Sequence, residues 1–344
     1  MAQHEMTQHE ATQREATQVM PTQELTDELG AIRDVVVVGG GAAGLSAALT
    51  LTRARRTVTV VDAGQPRNAP ATGVHGLLAL DGVSPAELLA RGRKEVVAYG
   101  GEILAGQVVE VTRAAYGFVV ELRDGSLLRA RRLLIATGLV DELPEVAGVR
   151  EQWGHGVLHC PFCHGWEVRD RRIGILAAEP MPVHKAQLFR QWSSDVVFFA
   201  GEIELSESDR TTLEVLDVPV VEGTVSRLEI EGGQVTGVRL EDGQVVAVDA
   251  VVVSTRMIAR TGPFAGIGIT ATPHPSGEFI EADDFGKTAV AGVWAAGNAS
   301  DLSAQVSGAA AEGARAAQSI IADQMMADLE QALAARAAAV EDVA

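Results

Sequence analysis

Residues 34–44 read Asp34-Val35-Val36-Val37-Val38-Gly39-Gly40-Gly41-Ala42-Ala43-Gly44, four valines running straight into a glycine cluster. Such a valine run reads as a strand buried on both faces, as in a parallel sheet. Gly39, Gly41 and Gly44 fit the G-x-G-x-x-G spacing, and the Ala/Leu-rich stretch that follows reads as a helix. Each glycine has a physical task. Gly39 permits the tight turn, Gly41 lets the backbone approach a pyrophosphate, and Gly44 lets helix and strand pack closely. Ala42 and Ala43 open the helix, where unpaired N–H groups and the positive end of the helix dipole attract an anion. A second strand over 57–61 runs into Asp62, about twenty residues on, where a carboxylate accepts from ribose hydroxyls. A glycine-rich turn with no ligand is the alternative, and the complete strand–turn–helix–strand–acid context argues against it.

Outward from this turn, the chain shows the same module twice. The first continues with strands over 108–112, 118–123 and 127–136, with a turn at Asp124-Gly125. The second opens with a strand over 172–177, a helix near 184–192 and a strand over 195–199. It continues with strands over 225–230, 235–240 and 245–253, joined by turns at Gly232-Gly233 and Asp242-Gly243. A strand over 292–296 and an Ala-rich helix over 304–323 resemble the closing piece of the first module. Strands alternating with helices imply parallel sheets. The expected fold is α/β, with two Rossmann-like dinucleotide-binding domains, the second inserted into the first, each with a small β-meander. The expected boundaries are a disordered Thr-Gln-rich tail at 1–30, a discontinuous first domain at 31–145 and 255–328, a second domain at 146–254, and a C-terminal helical tail at 329–344.

The second module lacks the glycine device. Its turn reads Leu176-Ala177-Ala178-Glu179-Pro180-Met181-Pro182. Proline has no N–H to offer a phosphate, and Glu179 would repel one. Beyond the next strand, Phe199-Ala200-Gly201-Glu202 contains no Arg or Lys to meet a 2′-phosphate. The second module is expected to have kept its fold and lost its nicotinamide nucleotide.

With 47% apolar residues in 344, the chain can bury two cores. A net charge of −18 and the lack of any basic stripe argue against nucleic acid and anionic membrane as partners. The N-terminus shows no basic region followed by an apolar run, so a cytoplasmic location is expected. Both cysteines of the chain lie in one C-x-x-C, within His159-Cys160-Pro161-Phe162-Cys163-His164. Such a pair can close a small disulfide ring, and nearby cations lower the thiol pKa. The thiolate is the species that attacks, so this tuning sets reactivity. His164 can move protons near neutral pH. Zinc is a rival reading, with His155 and His159 as further ligands, but structural zinc ligands come as two separated pairs and no second cluster is present. A buried, unreactive pair is the other alternative. No metal is expected.

Taken in order, these motifs resemble the low-molecular-weight thioredoxin reductase family, which is FAD-dependent, over about residues 32–325. The glycine turn matches its FAD fingerprint. Ala136-Thr137-Gly138 matches the strand end where the FAD domain hands over to the second domain. The cysteines match its redox disulfide in position and spacing. Val293-Trp294-Ala295-Ala296-Gly297-Asn298, followed by Gln305 and an Ala-rich helix, matches its second FAD motif. The resemblance implies FAD as cofactor, a homodimer, Cys163 facing the flavin and Cys160 exchanging with substrate. His164 stands where the family usually has Asp, and Asn298 where it usually has Asp. The stretch Cys160-Pro161-Phe162-Cys163-His164-Gly165 and the missing nicotinamide seat are similar to the dithiol oxidases that close disulfides in gliotoxin- and holomycin-type natural products. That likeness implies a small-molecule or protein dithiol as substrate and molecular oxygen as acceptor, with His75 as a further candidate histidine. An NAD(P)H-fed disulfide reductase and a non-catalytic flavin redox sensor are the other readings.

Overall fold

The computed structural model describes residues 31–178 and 181–341. The Thr-Gln-rich stretch at 1–30, Glu179 and Pro180 lie outside the described residues.

The valine run forms β1 (Arg33–Val38). Val35 and Val37 point into one core and Val36 and Val38 into another, so both faces of the strand are covered. The chain then passes through α1 (Ala42–Arg53), β2 (Val58–Asp62), α2 (Pro85–Ala98), β3 (Glu102–Ala105), β4 (Val108–Ala114), β5 (Gly117–Leu122) and β6 (Leu127–Ile135). These strands lie in the order β3-β2-β1-β6-β5-β4. The β3-β2-β1-β6 portion is parallel, and β4 to β6 form an antiparallel meander in the same sheet.

After β7 (Leu139–Glu142) the second unit begins with α3 (Val149–Gln152), β8 (Val157–Leu158), α4 (Pro161–His164), β9 (Ile173–Leu176) and α5 (His184–Phe189). It goes on through β10 (Val196–Gly201), α6 (Glu207–Val215), β11 (Val220–Glu222), β12 (Val225–Glu231), β13 (Gln234–Leu240), β14 (Val245–Ala247) and β15 (Ala250–Val252). Its parallel sheet runs β11-β10-β9-β15-β8, and β12-β13-β14 form a separate antiparallel sheet. The single strand expected over 245–253 is therefore two. Asp249 breaks it: its backbone N–H donates to the carbonyl of Arg172 at 2.8 Å, and its carboxylate accepts from the Arg172 N–H at 3.0 Å. This pulls β15 out of the meander and into register beside β9.

The chain returns through β16 (Arg256–Ala259), β17 (Thr272–His274) and β18 (Gly277–Phe279). β16 pairs antiparallel with β7, so the two crossings between the units lie side by side. β19 (Val293–Ala295) then joins the first sheet, parallel to β6. The last helix, α7 (Val306–Glu341), packs on α1 so closely that a Cβ at Gly313 would lie 2.0 Å from the Ala43 carbonyl oxygen. The second unit is thus inserted into the first, whose sheet and α1 layer are completed only by the C-terminal strand and helix. Among the described residues no helix is long and apolar enough to cross a membrane.

Candidate active site

A cavity of about 870 Å3 lies where the carboxyl ends of the first sheet's strands meet the cysteine-bearing segment. In open α/β sheets, ligands bind outside those strand ends. Gly39, Gly41, Ala42, Ala43, Asp62, Ala136, Thr137, Gly138, Gly297, Asn298 and Gln305 all line it, and so do Cys160, Cys163, His164 and His75. Gly44 sits beneath, where an added Cβ would strike the Gly39 carbonyl oxygen at 1.9 Å. Gly39 holds φ +110°, with Ala136 O only 2.2 Å from where a Cβ would be. Gly41, the N-cap of α1, has open space at its Cβ position and no side-chain cap. The first turn of α1 carries no acidic residue. A free helix N-terminus beside a bare glycine fits a pyrophosphate. Thr137 Oγ1 is buried without a hydrogen-bond partner and awaits a polar group from a ligand. These features fit a dinucleotide.

Other contacts were not anticipated. Asp62 is held from the side by Arg93, whose Nη2 donates to Oδ2 at 2.8 Å. Asn298 donates through Nδ2 to the carbonyls of Asp301 and Ala304, both at 2.9 Å. A carboxylate could not donate these bonds, which gives the Asn at this position a physical reason. Its Oδ1 accepts from Arg67 Nη1 at 3.3 Å.

The cysteines straddle one short turn. Cys160 caps α4 and Cys163 lies within it, with Sγ atoms 2.6 Å apart. The Cys163 thiol donates to Cys160. Outweighing burial, and helped by the Cys163 and Phe162 N–H groups and by Lys185, this pulls the Cys160 thiol down to about 7. The same bond, added to burial, pushes Cys163 up. Of the two, Cys160 is the one whose thiolate its surroundings favour.

Behind the pair is a buried polar cluster. Arg67, in the loop after β2, grips Asp141 of β7 with two hydrogen bonds at 2.7 and 2.8 Å. Thr255 Oγ1 donates to the same carboxylate at 2.7 Å. Burial alone would raise Asp141, but Arg67 and Thr255 hold it below the usual carboxylate range. Arg67 Nη2 also lies 2.8 Å from His159 Nε2. A guanidinium only donates, so Nε2 accepts and the imidazole proton sits on Nδ1. Burial, with Lys185 and Arg67 nearby, pushes His159 down to about 3, so the ring is neutral. One residue, Arg67, thus ties the loop after β2, an inter-unit strand, the residue before Cys160 and the second glycine motif.

His164 is held below its usual pKa by burial, against the pull of Glu167, and its Nε2 is buried without a partner. A buried, unpartnered imidazole nitrogen in the cavity wall can accept or give a proton. His75 lies nearby, 3.3 Å from Asp81 through Nδ1 and 3.5 Å from Glu167 through Nε2. Arg67, Arg93, Asp141, Thr255 and Lys185 escaped the sequence reading. The only trace was Lys185 itself, a lone cation where a second nucleotide turn would have led into its helix.

The chain matches the family described as pyridine nucleotide-disulphide oxidoreductase over residues 33–313. It is 30% identical over 314 residues to thioredoxin reductase tcpT of Claviceps purpurea, covering 87% of this chain and 96% of that protein. Among solved structures it is similar to HlmI, at 44% identity and a TM-score of 0.85, covering 90% of this chain and 98% of that one. It is also similar to an oxidoreductase from Agrobacterium tumefaciens, at 33% identity and a TM-score of 0.82, covering 86% and 99%. With its fold and cavity, these likenesses make the chain a thioredoxin reductase-like oxidoreductase, a member of the pyridine nucleotide-disulphide oxidoreductase family.

Proposed function

We propose that the protein is an FAD-dependent oxidase of dithiols, using Cys160 and Cys163 as its redox pair, His164 as its proton carrier and molecular oxygen as acceptor. The observation that carries this reading is one shared cavity. The glycine turn, Asp62, Ala136-Thr137-Gly138, Gly297-Asn298, Gln305 and the cysteines converge on it from distant parts of the sequence. Residues Gly39 to Gly44 and Asp62 would hold the adenosine and pyrophosphate portion, and Thr137, Asn298 and Gln305 the remainder. When bound, FAD supplies a two-electron acceptor beside the pair that oxygen can re-oxidise.

The residues of the chain do the rest. A substrate thiolate attacks Cys160 in the disulfide, breaking the S–S bond and expelling Cys163. The second substrate thiol displaces Cys160 and closes the substrate disulfide, so two electrons remain on the pair. Cys160 is left as thiolate and Cys163 takes one substrate proton. His164, which lines the cavity, can pass the other outward. His75 and Glu167 lie on the exposed side. The second unit has no glycine turn after β9 to seat a nicotinamide nucleotide, which favours substrate dithiols as the electron source. The protein is further proposed to work as a cytoplasmic homodimer, with the domain boundaries given above.

A second reading, a disulfide reductase fed by NAD(P)H, is favoured by the likeness to thioredoxin reductase tcpT. Peroxide formation separates them. The purified protein, given dithiothreitol in air, is expected to form peroxide with turnover. Cys160→Ser and Cys163→Ser are each expected to lower the rate ~10²-fold or more, since the two sulfurs act as a unit. Unchanged peroxide formation in either variant would count against the reading.

A further inference from the structure

Lys185 is a half-buried ionisable group in the wall of the cavity. It stands in the first turn of α5, and its Nζ donates to the carbonyls of His159 and Val253, each at 2.8 Å. A buried ammonium is costly unless an anion accompanies it. The charged groups around it are few. Arg67 and Asp141 cancel each other as a bidentate pair, and His159 is neutral. His164 is held toward its neutral form. Two anions act on Lys185: first the Cys160 thiolate, one residue beyond the carbonyl Lys185 grips, and then Asp141, whose carboxylate Arg67 already holds.

We infer that Lys185 is the positioning cation of the redox pair: it ties the carbonyl just before Cys160 to the backbone at Val253 and stabilises the Cys160 thiolate in the reduced state. Burial lowers Lys185 to about 8, and the Cys160 thiolate is the first group that raises it. In the disulfide form that anion is absent, so the ammonium stands beside a neutral sulfur. Reduction by a substrate dithiol breaks the Cys160–Cys163 bond and forms the substrate's disulfide. Two electrons enter the pair, one proton goes to Cys163 and one leaves, and Lys185 regains its counter-charge. A cation that favours the reduced pair over the disulfide makes the disulfide a stronger oxidant, which suits an enzyme that takes electrons from dithiols. The helix that would have faced a nucleotide in the second unit thus carries a lysine turned toward the cysteines.

This inference rests on the cysteines being the redox couple, but its test needs no turnover. The fully reduced protein is alkylated with iodoacetamide across a pH series, and modification at Cys160 is located by mass spectrometry. Two variants are compared with the unaltered chain. Lys185→Met removes charge and hydrogen bonds, whereas Lys185→Gln keeps a donor and removes only charge. The expected result is that both move the Cys160 midpoint upward by a pH unit or more, a tenfold loss of thiolate. The disulfide's reduction potential should fall in step, by ~30 mV per tenfold. A wild-type midpoint in Lys185→Gln overturns the inference, because it leaves Lys185 as a strut between two carbonyls. If Lys185→Met does not fold, Lys185→Gln alone decides. Absence of peroxide from dithiothreitol would instead defeat the oxidase reading and leave these midpoints as they are.

Discussion

Gly41 and Gly44 sit three residues apart in one turn and face opposite demands. A Cβ on Gly44 would lie 1.9 Å from the Gly39 carbonyl oxygen, so the backbone itself needs that glycine. A Cβ on Gly41 would meet no heavy atom within 4 Å, so only a ligand needs that one. Two different failures follow. Gly44→Ala should destabilise the protein with or without flavin, by about 1–3 kcal/mol for an overpacked contact, read from denaturant midpoints. Gly41→Val should leave apoprotein stability unchanged and lower bound flavin per chain at least tenfold, read from absorbance. Equal apoprotein destabilisation by both would contradict the ligand role of Gly41. These glycines were legible because spacing alone encodes them. Arg67, Arg93 and Lys185 were not, because an isolated cation in a loop or helix reads as a solvated charge until the fold shows what it faces.

At the scale of elements, the paired crossings β7 and β16 and the loop carrying Arg67 form the joint between the two units. Asp141 lies on β7, Thr255 immediately before β16, and His159 immediately before the cysteines. The joint depends on protonation. His159 stays neutral in the folded protein down to about pH 3, whereas an unfolded imidazole takes its proton near 6.5. Between those values the unfolded chain binds more protons, so stability falls as pH falls through that window. Asp141, held low, adds a loss that begins as pH falls through the ordinary carboxylate value of 3.8 and is complete once the folded carboxylate is protonated. His159→Gln can still accept from Arg67 but has no proton to take up. Its melting temperature should therefore vary less with pH than that of the unaltered chain between pH 6.5 and 3. Parallel curves would refute the assignment of the neutral ring. Most strands were legible from valine-rich runs and Gly-containing turns. The sheet of β7, β16, β17 and β18 was not, because its strands are three or four residues long and pair across an insertion of more than a hundred residues. The split of β14 from β15 was hidden for another reason: Asp249 acts through a backbone seventy-seven residues away in sequence.

Across the whole molecule, two related βα turns have diverged. The first retains bare glycines at the mouth of the 870 Å3 cavity. The second has none between β9 and α5, and its helix sends a lysine toward the cysteines. That asymmetry is legible in the sequence, because it lies in residue types. What the second helix does instead is not, because it depends on how the inserted unit sits over the first. The proposed direction of electron flow rests on this asymmetry: into the pair from a dithiol, and not into the flavin from a nicotinamide. Anaerobic stopped-flow mixing of the flavin-loaded protein with dithiothreitol and, separately, with NADPH reads that direction directly. The account predicts rapid loss of flavin absorbance with dithiothreitol, abolished in Cys160→Ser, and no rapid loss with NADPH at micromolar concentration. Rapid bleaching by micromolar NADPH, persisting in Cys160→Ser, would contradict it.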